Sequence, residues 1–142
     1  TSADGQAAPV NLFIYAVLGL AVTWALYVLY MNVATRAAEG RPADVLMPLF
    51  PELGAHVGRA LVYCYSPQCG PCRAMSPEVD ALVANGAPVF KLNIAEHPGV
   101  ARDLGIRAAP TLILIEGGAI ARMVLGVKNA RFMTDLIDRP AA

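Results

Sequence analysis

Hydrophobic and polar positions divide the chain into two unlike parts. From Val10 to Ala34 no side chain carries a charge, and the run VNLFIYAVLGLAVTWALYVLYMNVA has no strand-like or amphipathic alternation. About 20 apolar residues span a bilayer core as a helix, so this stretch is long enough even when tilted. Phe13 and Tyr15 near one end and Tyr27 and Tyr30 near the other suit the two interfaces, whereas Trp24 falls nearer the middle and has no such explanation. A cleaved leader is the rival reading. It would carry a basic segment ahead of a shorter apolar run, and here neither feature is present. The pattern therefore predicts a tail over residues 1–9, one transmembrane helix over 10–35, a linker with a short leading helix over 36–58, and a folded domain over 59–142. Gly19 with Thr23 and Ala21 with Ala25 are small pairs one turn apart. They could seat a helix of a membrane partner, or simply face lipid.

After Arg36, Glu39, Arg41 and Pro42 the pattern changes to short periodic segments. Leu46, Leu49 and Phe50 predict an apolar turn, and Pro51 opens a short helix in which His56 has no ligand set. Ala60–Tyr65 is a continuous apolar and aromatic run, as a strand buried on both faces requires. Met75, Val79, Leu82 and Val83 recur at helical spacing, predicting an amphipathic helix from Pro71 to about Ala84 with a kink at Pro77. Pro88–Ile94 reads as a strand and His97–Leu104 as a helix stopped by Gly105. Thr111–Ile115 and Ile120–Leu125 read as a hairpin turning at Gly117–Gly118, and Asn129 caps a last helix holding Phe132, Leu136 and Ile137. The order β-α-β-α-β-β-α is that of an α/β domain with a mixed sheet flanked by helices.

Composition sharpens this picture. The chain is 56% hydrophobic, above the usual range for a soluble domain, and the excess lies at the N-terminus. Eleven basic residues balance eleven acidic ones and form no stripe, which excludes a phosphate-neutralising surface and so nucleic acid as a partner.

The candidate chemistry is Cys69-Gly70-Pro71-Cys72, at the junction of the first strand and the following helix. Free N–H groups and the helix dipole at such a junction stabilise an anion, and a thiolate is the attacking form of cysteine. Pro71 suits an early helical position, where its missing N–H would have had no partner. The alternative is half of a zinc site, which needs four ligands. Beyond this pair only Cys64, His56 and His97 are available, none at a second ligand-like spacing, so the pair reads as redox-active with no metal and no cofactor. Cys64, on the first strand, reads as a small buried hydrophobe rather than a regulatory thiol.

Taken in order, Tyr65-Ser66-Pro67-Gln68-Cys69-Gly70-Pro71-Cys72-Arg73, Lys91-Leu92-Asn93-Ile94, Gly105-Ile106-Arg107-Ala108-Ala109-Pro110-Thr111, Gly117-Gly118 and Gly126 resemble the landmarks of the thioredoxin family over about Arg59–Asp138. The resemblance implies a thioredoxin-like fold preceded by the membrane helix. It implies Cys69 as nucleophile, Cys72 as the resolving cysteine, and support from Gly70, Pro71, Lys91 and Pro110. Pro110 would be cis, and Gln68, Ala109 and Pro110 would face the substrate, with Ala109 offering backbone groups to an extended segment. Its partners would be protein disulfides or dithiols and a reductant or redox partner protein.

Three departures from the family stand out. Tyr63 occupies the position of a buried carboxylate under the dithiol, Gln68 and Tyr65 replace aromatic landmarks, and Lys91 lacks its usual acidic neighbour. A buried carboxylate can accept the resolving cysteine's proton, so its replacement predicts slower or narrower disulfide reduction. The expected function is a membrane-anchored thiol–disulfide oxidoreductase of the inner membrane, held in lipid by one span. The alternative is a thioredoxin-like docking subunit of a membrane complex. The residues before the span have no Lys or Arg, while Arg36 and Arg41 follow it, which favours a cytoplasmic domain. Anchored relatives, such as those in cytochrome c maturation, more often face the oxidising side, but they carry an insertion between dithiol and proline that this compact chain lacks.

Overall fold

The computed structural model describes residues 7–37, 39–55 and 58–139. Most of the expected tail and His56 lie outside them. The chain forms two compact units, one ending at Ala34 and one beginning at Thr35. The described part of the first lies in one helix, α1, which runs over Ala7–Arg36 and starts three residues before the predicted span. At 1.5 Å per residue it exceeds a hydrocarbon core of about 30 Å. Its large apolar side chains are exposed, Leu20 to 74%, and it is the one helix among the described residues long and apolar enough to cross a membrane.

The second unit is built on a four-stranded mixed sheet. Its elements are a 3-10 turn at Asp44–Leu46, α2 (Glu52–Ala55), β1 (Arg59–Tyr65), α3 (Gly70–Ala84), β2 (Val89–Asn93), α4 (Pro98–Leu104), β3 (Thr111–Glu116), β4 (Ala119–Leu125) and α5 (Ala130–Asp138). The strand order is β2-β1-β3-β4, with β1 parallel to β2 and antiparallel to β3, and β3 antiparallel to β4. The continuous apolar runs of β1 and β3 are explained by burial on both faces. Ala60, Val62, Cys64, Ile113 and Ile115 point to one face and meet Leu104, Leu46 and Leu53. Leu61, Tyr63, Leu112 and Leu114 point to the other and meet Met75 and Val79 of α3 and Met133 and Leu136 of α5. Within α3, Val83 differs from the expected stripe: it is 42% exposed, because its position turns out of the face that Met75 and Val79 bury.

Local chemistry closes the elements. Asn129 caps α5 through its side-chain oxygen, which accepts the Phe132 N–H at 2.9 Å, and Gly105 ends α4 in the left-handed region at φ 77°. The Glu78 carboxylate accepts the Ala130 N–H and joins α3 to the start of α5. At the other end of α5 the Arg59 guanidinium donates to the Leu136 carbonyl at 3.0 Å.

The segment before β1, read from the sequence as a linker with a leading helix, contributes to the core. Ala43, Leu46 and Leu53 are buried, and Met47, Leu49 and Phe50 pack against them. Residues 40–43 also lie along β4. Gly40 N–H donates to the Ile120 carbonyl at 2.7 Å, Ile120 N–H to the Arg41 carbonyl at 2.9 Å, and Ala43 N–H to the Gly118 carbonyl at 2.9 Å. The outer edge of β4 is therefore covered at its start rather than left as a template for another strand.

Candidate active site

At the C-terminal end of β1 the chain turns through Ser66–Gln68 into α3, and Cys69 is that helix's N-cap residue. Its backbone is extended, and its Sγ accepts the N–H of Cys72 at 3.2 Å, the geometry that an Asp or Ser oxygen adopts at other helix starts. Gly70 and Pro71 fill the first turn, where the proline loses no helical hydrogen bond. Cys69 and Cys72 are joined as a disulfide with Cα atoms 5.2 Å apart. The two sulfurs differ in environment: Cys69 is partly exposed at the mouth of the helix, whereas Cys72 is 2% exposed against the core.

A second loop meets the first. The peptide bond between Ala109 and Pro110 is cis, and the Ala109 carbonyl oxygen lies 3.5 Å from Cys69 Sγ. This loop is fixed from both sides. The hydroxyl of buried Thr111 donates to the Ala108 carbonyl at 2.7 Å, and Gly126 N–H donates to the Pro110 carbonyl at 2.9 Å. Gly126 holds φ at 98°, a conformation open to glycine and strained for other residues. The sheet thus brings together Cys69, Gly70, Pro71, Cys72, Ala109 and Pro110 from stretches some forty residues apart. Gln68 is exposed on the turn before Cys69.

Beneath α3 lies Tyr63, fully buried on β1. Its hydroxyl is 3.2 Å from the Cys72 carbonyl and 3.2 Å from Ser76 Oγ, and Ser76 itself donates to that carbonyl at 2.8 Å. Its ring stacks on Tyr65 at 5.5 Å. Burial pushes the Tyr63 phenol above the ordinary tyrosine value, partly offset by its hydrogen bond to Ser76 and the nearby Lys91 charge, so it is neutral at neutral pH. Lys91 stands opposite Tyr63 in the β1–β2 register. Its Nζ is 2.7 Å from the Asp80 carboxylate and 5.3 Å from the centre of the Tyr65 ring. Lys91 therefore does have an acidic partner, supplied by α3 rather than by its own strand, and its described contacts are with Asp80 and Tyr65 rather than with either cysteine. Sequence reading missed Ser76 and Asp80. Their signal was the spacing Cys72–Ser76–Asp80, which puts all three on one flank of α3. Cys64 is enclosed on the opposite face of the sheet, where desolvation raises its pKa strongly and keeps the thiol inert. Among the described residues no three His, Cys, Asp or Glu side chains converge as a metal site would need.

A helix-capping cysteine disulfide-bonded to a buried one, beside a proline loop on a mixed sheet, defines a thiol–disulfide oxidoreductase of thioredoxin-like fold. The comparisons with known proteins agree. A family model described as thioredoxin matches residues 51–139, more than half of the chain, and the chain belongs to the thioredoxin family. It is 42% identical over 82 residues to thioredoxin 1 of Nostoc sp., covering 56% of this chain and 77% of that protein. To the chloroplastic M-type thioredoxin of Zea mays it is 37% identical over 82 residues, which is about half (49%) of that relative's length. Among solved structures, mitochondrial thioredoxin 3 of Saccharomyces cerevisiae has a TM-score of 0.56 at 21% identity, covering 66% of this chain and 90% of that one. A thioredoxin of Nicotiana alata has the same TM-score at 24% identity, covering 66% of this chain and 83% of its own.

Proposed function

We propose that the protein reduces protein disulfides at a membrane surface, with Cys69 as nucleophile and Cys72 as resolving thiol. The observation that carries the assignment is the inequality of the two sulfurs. Cys69 caps α3, where N–H groups and the helix dipole favour a thiolate, and it is open to solvent, while Cys72 is buried at 2% exposure. In the reduced protein, the Cys69 thiolate attacks one sulfur of a substrate disulfide. The substrate's other sulfur leaves as a thiolate, and a mixed disulfide forms. Cys72 then loses its proton and attacks Cys69. The Cys69–Cys72 bond forms and the second substrate sulfur leaves, so two electrons pass from the protein to the substrate. Gly70 and Pro71 shape the capping turn. Gln68, Ala109 and Pro110 form the surface beside the nucleophile, where the backbone of Ala109 pairs with an extended substrate segment. Lys91 supports the site from beneath by holding the Tyr65 ring and Asp80. A reductant or redox partner protein returns the dithiol.

Anchoring by α1 completes this reading. Its length and apolar surface suit one span in lipid, and Arg36 and Arg41 on the domain side favour a cytoplasmic face at the inner membrane. A second reading, a docking subunit whose membrane helix binds a partner and whose redox step is secondary, draws on Tyr63 standing where a carboxylate would accept a proton. Cells expressing each cysteine variant, examined on non-reducing gels, test the assignment. Cys72→Ser accumulates covalent complexes that reductant dissolves, and Cys69→Ser accumulates none. The opposite pattern reverses the two roles. Absence of complexes from both, with both thiols inert to alkylation in the reduced wild type, replaces the redox reading with the docking one.

A further inference from the structure

The Tyr63 hydroxyl has a placement that core filling does not require. A phenyl ring would occupy the same space between β1 and α3 and would stack on Tyr65 in the same way. The hydroxyl instead reaches the main-chain carbonyl of Cys72 at 3.2 Å, an acceptor that Ser76 Oγ already serves at 2.8 Å, and it lies 3.2 Å from Ser76 Oγ as well. The turn concerned is short of a bond. Pro77 lies inside α3 and has no N–H to offer the carbonyl four residues back, that of Arg73, so the ladder is interrupted one residue after Cys72. Two buried or half-buried hydroxyls therefore tie down the residue next to the gap. Since burial keeps the phenol protonated, Tyr63 acts there as a hydrogen-bond donor and not as a base.

We propose that Tyr63, acting with Ser76, is a positioning residue for the second half of the exchange. It fixes the turn that carries Cys72 and so sets how fast Cys72 displaces the substrate from Cys69, without setting the rate of Cys69's own attack. The inference rests on the roles assigned above and deepens them. In the resolving step the Cys72 sulfur must line up with the bond between Cys69 and the substrate sulfur. The Cys69–Cys72 bond then forms, the Cys69–substrate bond breaks, and the substrate sulfur leaves as a thiolate that gains the equivalent of the proton Cys72 lost. Cys72 is enclosed and cannot search for that alignment, so its backbone must already be in place. Cys69 lies before the helix, with its sulfur at the surface, and its attack on an incoming disulfide needs no such help from beneath α3.

The aromatic disulfide 5,5′-dithiobis(2-nitrobenzoate) separates the two steps on the reduced full-length chain in detergent. The first thionitrobenzoate released reports attack by Cys69, and the second reports closure by Cys72. Removing one of these hydrogen bonds in Tyr63→Phe or Ser76→Ala slows the second release about fivefold and leaves the first within about twofold of wild type. Ser76→Thr keeps a hydroxyl able to bond the carbonyl four residues back and restores the second phase. An unchanged second phase in folded Tyr63→Phe and Ser76→Ala, or both phases slowed together, overturns the proposal. Should Tyr63→Phe not fold, the contrast between Ser76→Ala and Ser76→Thr decides it. A wild-type protein that releases only one equivalent fails differently: it removes the roles of Cys69 and Cys72 themselves.

Discussion

Leu46 lies outside the expected domain, in the stretch read from the sequence as a linker, yet it is fully buried. Its companions are Ala43, Leu53, Ala60, Val62 and Ile120 in one cluster. Leu46→Ala truncates a fully buried leucine that the preceding segment contributes to this face. Buried leucine truncations cost about 2–5 kcal/mol, depending on how far the surroundings collapse. Here collapse is resisted. Residues 40–43 are bonded to β4 through Gly40, Arg41 and Ala43, and the β1 residues below are paired on both sides, with β2 and β3. Two of the neighbours are alanines, with no long side chain to swing into the space. The expected cost is therefore about 3–4 kcal/mol, clear of the lower end of that range. With a urea slope of about 2 kcal/mol/M for a domain of this size, the unfolding midpoint falls by about 1.5–2 M. The assay is urea unfolding of the unit beginning at Thr35, prepared without α1, followed by far-ultraviolet circular dichroism, with Val83→Ala as an exposed control. A Leu46→Ala midpoint no lower than that of Val83→Ala refutes the reasoning and returns the segment to the status of a tether.

Three further outcomes are expected. Cys64 is buried with its thiol pKa raised and Tyr63 is raised in the same sense, so above about pH 8.5–10 the unfolded chain loses protons that the native chain keeps. Stability is then intact below that range and falls as pH rises through it, and Cys64→Ala flattens the alkaline part of a midpoint-against-pH curve. Tyr63→Asp gives up the hydroxyl that positions Cys72, a loss of about fivefold, but places a carboxylate under Cys72 and opposite Lys91 whose proton-accepting gain of about 10²-fold or more outweighs it, so folded protein should reduce insulin faster near neutral pH, at a stability cost of about 3–5 kcal/mol for the lost ring; unchanged or slower turnover in folded protein removes the acid as a limiting factor. The full chain should stay with membranes through carbonate and high-salt washes, with the domain protected from protease added outside spheroplasts. Release into the soluble fraction removes the anchor, and digestion from outside reverses the sidedness.

Much of the site was legible because its signals are local. Cysteine spacing, a proline just inside a helix and a strand-like run before it depend on a few consecutive residues and their backbone preferences, and the sequence sufficed to place Cys69 at the mouth of α3. The length of α1 and the caps at Gly105 and Asn129 were readable for the same reason. What depends on long-range packing was not. The 40–55 segment has weak periodicity, and only the tertiary structure shows that the face of β1 and β3 carrying Val62 and Ile113 needs it as a cover. Lys91 had no acidic neighbour along its own strand, because its partner Asp80 comes from the helix packed across that strand. Tyr63 could be identified as a substitution, but the sequence could not show where its hydroxyl would point. That was decided by the pleat, which turns Tyr63 toward α3, and by the turn before Pro77, which places the Cys72 carbonyl and Ser76 within its reach.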